Sequence, residues 1–261
     1  MALRISKLPP IRVVACCSWF DEDPSLLTRM VASLPSIGVD TLVAVDGRYR
    51  LFGDQDYDDF RSPPEQHAAL WAACAEHHVR LVSDLAPGLY RDEVEKRQRL
   101  FSLAESYAQT GDWLLWIDGD ENVGQWLDPE RSLSDHLRLT SRDVAEVTFV
   151  DHEPRPGVVR HWPLPRLFRA GKFSRMGPNH YTLIAHDGGA LWGSNAHRTV
   201  AERVQVPLLI EHNQRAPERA ERERRFITDR DRFAPEAERF DRSKLTAENY
   251  PLVGEYEVRT T

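Results

Sequence analysis

The chain of 261 residues is 41% apolar and 29% charged, a composition typical of a folded globular domain. Its length suffices for one large, well-formed core, and its modest Pro and Gly content excludes collagen-like and wholly disordered proteins. No apolar run approaches the roughly 20 residues that a membrane span requires. Three cysteines, two of them adjacent, do not indicate a disulfide framework, and no secretory signal precedes Pro9-Pro10. We therefore expect a cytoplasmic protein.

The net charge of −7 conceals a difference between the two halves of the chain. Residues 1–150 contain 15 Lys and Arg against 25 Asp and Glu, whereas residues 151–244 contain 18 against 13. An acidic half joined to a basic half fits a site at which a cation and a phosphate meet. It fits an ordinary scatter of surface charge equally well.

The first half of the chain alternates predicted strands with predicted helices. Apolar, β-branched runs predict strands at 11–17, 41–45, 79–82, 113–117 and 144–150. A helix begins after Asp23, which is suited to cap it, and a long helix spans 92–109. Between them, Ser62 and Glu65 form the pattern of a capping box for a helix that runs to about residue 78. Residues 53–60 are polar and acidic and indicate a loop.

The second half differs in composition from the first, because prolines cluster between residues 154 and 178. Short strands are predicted at 166–169, 181–185 and 206–211, followed by an Arg/Glu-rich helix at 217–233. No linker separates the halves, so we expect 1–150 and 151–261 to form one continuous domain. The whole pattern predicts an α/β fold with a doubly wound, mostly parallel, Rossmann-related sheet and an irregular, mixed C-terminal part.

Ligands of such sheets bind beyond the carboxyl ends of the strands, and the clearest motif lies at such an end. Asp118-Gly119-Asp120 directly follows the apolar strand at 113–117. Two carboxylates one residue apart are able to face one divalent cation, and oxygen donors with phosphate suit Mg²⁺ or Mn²⁺. Asp-x-Asp is common in turns, so its place after a buried strand is what favours a functional interpretation. Glu121 is either a further ligand or a cap.

Other polar residues follow the first two strands. Asp46 is either a turn residue before Gly47 or an acceptor for a nucleotide base or ribose. Residues 18–22 form the neighbouring wall, in which Trp19 either covers a base or belongs to the core.

A basic pair, Lys96 and Arg97, lies early in the long helix, where the helix dipole disfavours cations. Contact with phosphate explains the pair, and so does i,i+4 pairing with Asp92 and Glu93.

Taken in order, these features resemble the GT-A glycosyltransferases, and most closely the small bacterial or phage-type members that are family-2-like. Residues 113–121 resemble the strand and Asp-x-Asp element of that family. Residues 165–173, which contain Arg166-Leu167-Phe168-Arg169, resemble an Arg-Leu-Phe-Arg segment, and 206–212 resemble a late strand that ends in His. The resemblance covers about residues 11–233.

The resemblance implies a nucleotide-diphosphate sugar as donor, linked to UDP, GDP or TDP, together with Mn²⁺ or Mg²⁺. Asp120 would hold the metal, Asp118 the metal or the ribose, and His212 would be a third metal ligand, while Asp46 would hold the base or ribose. Residues 1–150 would form the nucleotide-sugar-binding half and residues 151–261 the acceptor side. The residues implied in nucleotide-sugar binding are Ser18, Asp21, Asp46, Lys96, Arg97 and Asp118.

The chain departs from the family pattern at the catalytic base. Relatives often carry His-Glu after the Arg-Leu-Phe-Arg segment, whereas this chain has Asn179-His180-Tyr181. An inverting transferase needs a base for the acceptor hydroxyl. Asp187 and His180 are the nearest substitutes, with Asp151 and Glu153 after the fifth strand, so the base and the stereochemistry stay open.

Three other classes of protein are alternatives to a glycosyltransferase. A sugar nucleotidyltransferase should have a Gly-rich loop after the first strand, and residues 17–20 contain no Gly. A dinucleotide-binding dehydrogenase would need G-x-G-x-x-G, which is absent. A binding or assembly protein that kept the fold and lost turnover is supported by the missing His-Glu. The acceptor (glycan, protein or modified nucleic acid) and the oligomeric state stay open, and the mixed charges of 215–232 do not predict strong DNA binding.

Overall fold

The computed structural model describes residues 11–49, 61–83, 89–90, 93–152, 159–176, 183–187, 190–192 and 203–213. The helices are α1 (Pro24–Ser33), α2 (Pro64–Glu76), α3 (Glu93–Tyr107) and α4 (Leu133–Leu139), and a 3-10 turn follows α1 at Leu34–Ile37. The strands are β1 (Val13–Trp19), β2 (Thr41–Asp46), β3 (Arg48–Tyr49), β4 (Arg80–Ser83), β5 (Leu89–Tyr90), β6 (Trp113–Trp116), β7 (Glu121–Trp126), β8 (Val144–His152), β9 (Val159–Arg169), β10 (Phe173–Met176), β11 (Leu183–Ala185), β12 (Ala190–Trp192) and β13 (Arg203–His212).

A central sheet of eight strands has the order β4-β2-β1-β6-β9-β8-β13-β7. β4, β2, β1 and β6 pair in parallel, as do β8 and β13. β9 runs antiparallel to β6 and β8, and β7 runs antiparallel to β13. Strands from both halves of the chain therefore share one sheet. The predicted α/β class with a large, mostly parallel sheet is confirmed.

Apolar side chains cover both faces of the sheet, as the predicted doubly wound arrangement requires. Side chains alternate along a strand, so Ala15 and Cys17 of β1 join the core beneath α1 and α2. Val14 and Cys16 of β1 point to the other face, where α3 contributes Phe101. Because neither face of β1 meets water, the strand is a continuous apolar run, and this made it visible in the sequence.

Small sheets complete the mixed part of the fold. β10, β11 and β12 form an antiparallel sheet beside α3, and β3 pairs with β5 in parallel. No helix in the described ranges is both long enough and apolar enough to cross a bilayer.

The helix starts test two capping predictions. At α1 the prediction is confirmed, since the Asp23 carboxylate accepts a hydrogen bond of 2.8 Å from the Ser25 N–H. At α2 the predicted capping box of Ser62 and Glu65 is wrong, because Pro63 occupies the N-cap position. The Ser62 side chain bonds to the buried carboxylate of Asp46 instead. A charged acceptor brought close by the fold outcompetes the local cap.

β7 and α4 were not predicted from the sequence. β7 follows the Asp118–Asp120 turn directly and is largely polar, with a glycine at 124, so it lacks the pattern of a buried strand. A Cβ atom at Gly124 would lie 2.7 Å from Cγ of Glu211 on β13. The glycine thus leaves room for the Glu211 side chain beside β7. The loop predicted at 53–60 and the helix predicted at 217–233 lie outside the described residues.

Candidate functional site

Six strands of the central sheet run in the same direction, which brings their carboxyl ends to one edge. They are β4, β2, β1 and β6, together with β8 and β13, because β9 is antiparallel to both β6 and β8. Asp46, Asp118, Asp120, Asp151 and His212 all lie at or just beyond those ends. Residues up to 166 positions apart in the chain therefore meet at the edge where sheets of this class bind ligands.

His212 lies between two carboxylates at this edge. Its Nε2 is 3.0 Å from Oδ2 of Asp120, and its Nδ1 is 3.0 Å from Oδ1 of Asp151. Burial favours the neutral ring, but the hydrogen bonds and the charge of the carboxylates outweigh burial and raise the pKa of His212 to about 9. Each ring nitrogen therefore faces a carboxylate oxygen.

Asp118 lies between two guanidinium groups. Nη1 of Arg97 is 3.8 Å from Oδ1 of Asp118, and Nη2 of Arg166 is 3.7 Å from Oδ2. The indole N–H of Trp116 donates to Oδ1 at 3.1 Å, while the guanidinium of Arg97 stacks 4.1 Å above the same indole ring. The Asp118 side chain is 25% exposed, so the carboxylate is held in place and still reaches solvent.

Glu121 closes the turn that carries the two aspartates. Its Oε2 accepts from the Asp118 N–H at 3.0 Å, its own N–H donates to the Asp118 carbonyl at 3.0 Å, and Oε1 accepts from Arg166. Burial, together with the charges of Asp118 and Asp120, raises the pKa of Glu121 to about 7 against the opposing effect of Arg166. Of the two roles considered for Glu121, the contacts are those of a cap.

The turn also packs against the loop that follows β1. A Cβ atom at Gly119 would lie 3.3 Å from Cγ of Glu22 and 3.3 Å from Cδ2 of Leu27. Glycine at this position thus lets the Asp118–Asp120 backbone approach the end of β1.

The nucleoside wall predicted from Asp46 and residues 18–22 forms one connected group around Ser62. Asp46 is buried and accepts from the Ser62 N–H at 2.9 Å, from the Ser62 hydroxyl at 2.6 Å and from Nε2 of His67 at 2.9 Å. The Asp21 N–H donates to Ser62 Oγ at 2.8 Å. Ser62 and His67 were not found by sequence reasoning, because their partners lie 16 and 21 residues away.

The last two residues of β1, Ser18 and Trp19, lie beside this group. Ser18 lies opposite Val45 in the β1–β2 register. Trp19 is 4% exposed, and its ring packs edge-on against His67 with centroids 4.9 Å apart. Of the two roles open to Trp19, the core role agrees with its burial.

Lys96 and Arg97, predicted as a phosphate-binding pair, make different contacts. Lys96 is 1% exposed and donates at 2.6 Å to the carbonyls of both Trp19 and Gly47. Burial lowers the pKa of Lys96 to about 8, although Asp46 favours its charged form. Arg97 forms the i,i+4 pair with Glu93 at 2.7 Å that was the alternative interpretation. Lys96 therefore joins the ends of β1 and β2 from within the core.

Of the residues considered as catalytic bases, Asp187 lies away from this edge, whereas Asp151 lies at it. Asp187 is exposed in the turn after β11, where the His186 N–H donates to the Lys172 carbonyl. The Lys172 amine is 3.6 Å from Asp143, which directly precedes β8. Asp151 lies at the other end of β8, about 25 Å further along the strand at roughly 3.3 Å per residue. His180 and Glu153 lie outside the described residues.

The donor atoms at this edge can be compared with those of a metal site. Within the described part of the chain, no group of three or more His, Cys, Asp or Glu side chains is arranged to hold a metal. Asp118, Asp120 and His212 therefore do not form a ready three-ligand centre. Asp120 Oδ2 and His212 Nε2 do lie 3.0 Å apart, which matches the spacing of about 3 Å between adjacent ligands in an octahedron with bonds of about 2.1 Å. Mg²⁺ commonly takes one or two carboxylates and completes its shell with phosphate oxygens and water, so Asp120 suits Mg²⁺ or Mn²⁺, and the imidazole suits Mn²⁺ better than Mg²⁺.

Comparison with known proteins identifies no family. No protein-family model matches the chain, and no curated protein matches it. Among solved structures, GalNAc-T7 with UDP, GalNAc and Mn²⁺ gives a TM-score of 0.40 at 14% identity, covering 80% of this chain and 45% of that chain. A 4-diphosphocytidyl-2C-methyl-D-erythritol synthase gives 0.37 at 15% identity, covering 83% of this chain and 98% of that chain. The chain thus spans less than half of the GalNAc-T7 structure, and similarity at this level assigns neither substrate nor activity.

Proposed function

We propose that the protein is a metal-dependent glycosyltransferase that moves a sugar from a nucleotide-diphosphate sugar to an acceptor. The observation that carries the proposal is the contact between His212 and Asp120 at the carboxyl edge of the sheet, next to Asp118. An imidazole and a carboxylate at cis-ligand spacing suit a cation that arrives with a diphosphate, because phosphate oxygens and water would complete its shell.

Asp120 and His212 would hold Mn²⁺ or Mg²⁺, which would supply positive charge to the diphosphate leaving group. Asp118 would accept hydrogen bonds from hydroxyl groups of the donor. Its carboxylate is oriented by Trp116 and balanced by Arg97 and Arg166, so it can accept from a neutral hydroxyl without an uncompensated charge.

The nucleoside would lie along the ends of β1 and β2. Asp46, Ser62 and His67 form a hydrogen-bonded wall there, and Lys96 joins the two strand ends from behind. These contacts favour a rigid platform, in which Asp46 positions Ser62 and His67.

The catalytic base is not assigned, because Asp187 lies toward the opposite edge and Asp151 is bonded to His212.

The test is a screen of UDP-, GDP- and TDP-linked sugars with Mn²⁺, read as released nucleoside diphosphate with and without candidate acceptors. We expect release that requires Mn²⁺ and falls at least 100-fold in Asp120→Asn and His212→Ala. A matched control is Asp128→Asn, which removes the charge from a similar Asp–His contact of 2.7 Å to His136 in the last turn of α4. That variant should keep full activity.

Three other results would overturn the proposal. Release of pyrophosphate from a nucleoside triphosphate and a sugar phosphate would identify a nucleotidyltransferase. Loss of activity equal in Asp128→Asn and Asp120→Asn would remove the assigned site. A melting temperature that responds to neither Mn²⁺ nor any nucleoside diphosphate would indicate a protein that kept the fold without the binding site.

A further inference from the structure

We propose that Asp151 is the positioning residue that makes His212 a metal ligand, by accepting a hydrogen bond from the ring nitrogen that faces away from Asp120. The inference rests on the proposed function, since it concerns the same cation. Asp151 Oδ1 is 3.0 Å from Nδ1 of His212, on the opposite side of the ring from Asp120.

Strand pairing fixes this geometry. β8 and β13 run in parallel with His212 in register with Asp151, so the two side chains leave neighbouring strands at the same level. The same residue of β13 is in register with Glu121 of β7, which directly follows Asp120. His212 is thus held between the two carboxylates by backbone pairing on both sides of its strand.

Packing limits the rotation of the ring. The Phe149 ring lies 5.8 Å from the His212 ring, with 31° between their planes, and belongs to the same strand as Asp151. The Arg166 guanidinium, which contacts Glu121, lies 5.3 Å from the Phe149 ring. The groups that face His212 are therefore Asp120, Asp151 and Phe149, with Glu121 contributing charge.

The chemical reason is the choice of tautomer. A histidine that binds a cation through Nε2 keeps one proton, which must be on Nδ1. A carboxylate that accepts from Nδ1–H holds the proton there and makes Nε2 a better ligand, which is why ligating histidines in metal sites usually have such a partner. Without Asp151, the neutral ring is free to carry its proton on Nε2, where it faces Asp120 and blocks the cation.

This role differs from that of a catalytic base, the other role considered for Asp151. A base acts on the acceptor, so its loss would lower the turnover number and leave cation binding unchanged. A positioning residue acts through His212, so its loss would lower the affinity for the cation before any sugar is present. Separate measurements of the turnover number and of the cation affinity therefore distinguish the two roles.

The experiment is calorimetric titration of the full chain with MnCl₂ and with MgCl₂, each with a fixed nucleoside diphosphate chosen from the screen, or with UDP if the screen finds none. We expect Asp151→Ala and Asp151→Asn to weaken cation affinity about 10- to 100-fold. Asp151→Glu should restore part of the loss, and Asp128→Asn should have no effect. Asp151 is 33% exposed, so the variants should fold, which far-UV circular dichroism checks.

A second readout follows the tautomer directly. Long-range ¹H–¹⁵N spectra of the Mg²⁺-loaded protein should show His212 protonated on Nδ1 and unprotonated on Nε2. Asp151→Asn should lose that signature, because its amide can donate to Nδ1.

Two results would overturn the inference in distinguishable ways. If wild-type protein binds Mn²⁺ through His212, as judged by His212→Ala, and the Asp151 variants bind it equally well, the positioning role is wrong and the proposed function stands. If neither wild type nor His212→Ala responds to Mn²⁺, the metal site itself is wrong and both proposals fall.

Discussion

Arg166 on β9 donates a hydrogen bond to the buried carboxylate of Glu121, although the two residues are 45 positions apart. Glu121 in turn closes the turn that carries Asp118 and Asp120. The guanidinium also lies 5.3 Å from the rings of both Trp116 and Phe149. Arg166 therefore links the acidic turn after β6 to the middle of the sheet, and its charge offsets part of the negative charge collected there.

Replacing Arg166 with Met should destabilise the protein by about 3–5 kcal/mol, because it leaves the Glu121 carboxylate buried without its cation. Urea unfolding measures the loss. The Glu121→Gln change added to Arg166→Met should recover part of it, since the neutral amide needs no counter-charge. Equal stability of the single and double variants would contradict the charge argument. The control is Arg203→Met, which removes the cationic partner of Glu146. Arg203 is more exposed than Arg166, so this change should lower the free energy of unfolding by less than Arg166→Met does.

Lys96 should give the protein a distinctive alkaline stability profile. Its pKa is about 8 in the folded protein against 10.5 for the free side chain, because burial disfavours the charge. Between those pH values the lysine is protonated in the unfolded chain and neutral in the folded one, so its contribution to the free energy of unfolding rises with pH from about 8 to 10.5. The three buried cysteines, whose pKa values are raised by burial, contribute with the opposite sign, so the contribution of Lys96 is read as the difference between wild type and variant. The full rise is on the order of 3 kcal/mol.

Lys96→Met should remove that rise, as measured by urea unfolding across pH 7 to 10.5. The control is Lys172→Met, which removes a lysine whose side chain is half exposed and should keep the wild-type slope. A Lys96→Met profile parallel to wild type over this range would show that Lys96 titrates normally.

Asp46→Ala should destabilise the fold as well as weaken nucleotide binding. The carboxylate accepts three hydrogen bonds from Ser62 and His67, and its removal leaves buried donors unpaired, at a cost of about 2–4 kcal/mol. Thermal unfolding checks this, with the exposed Asp40→Ala as control, for which we expect less than about 1 kcal/mol. Equal melting temperatures for Asp46→Ala and Asp40→Ala would contradict the prediction that the hydrogen bonds of Asp46 stabilise the fold.

Gly124→Ala should strain the contact between β7 and β13. The new Cβ would lie 2.7 Å from Cγ of Glu211, so the Glu211 side chain or its strand must shift, at a cost of about 1–3 kcal/mol. Because Glu211 precedes His212, we also expect weaker Mn²⁺ binding. Shortening the neighbour in Gly124→Ala/Glu211→Ala should restore most of both losses, measured by unfolding and by calorimetry. A double variant no better than the single one would place the strain elsewhere.

Features that depend on residues close together in the chain could be predicted from the sequence by itself. The alternation of apolar strands and helices predicted the α/β sheet, because β1 from Val13 to Cys17 and all of β6 are buried on both faces and apolar. The cap at Asp23 was predicted correctly, since its partner is two residues away. Asp46, Asp118 and His212 each follow or end an apolar run, and the rule that ligands gather at carboxyl ends is enough to assign them to one edge of the sheet.

Tertiary structure alone decided which partner each of these side chains has. His212 meets Asp120 across 92 residues and Asp151 across 61, and Lys96 reaches Trp19 across 77. Ser62 does not cap α2, as its spacing from Glu65 had predicted, but donates a hydrogen bond to Asp46. The physical reason is that periodicity and capping depend on neighbours within a few residues, whereas these hydrogen bonds depend on strand order and register. A shift of the β8–β13 register by one residue would turn Asp151 to the other face of the sheet and away from His212.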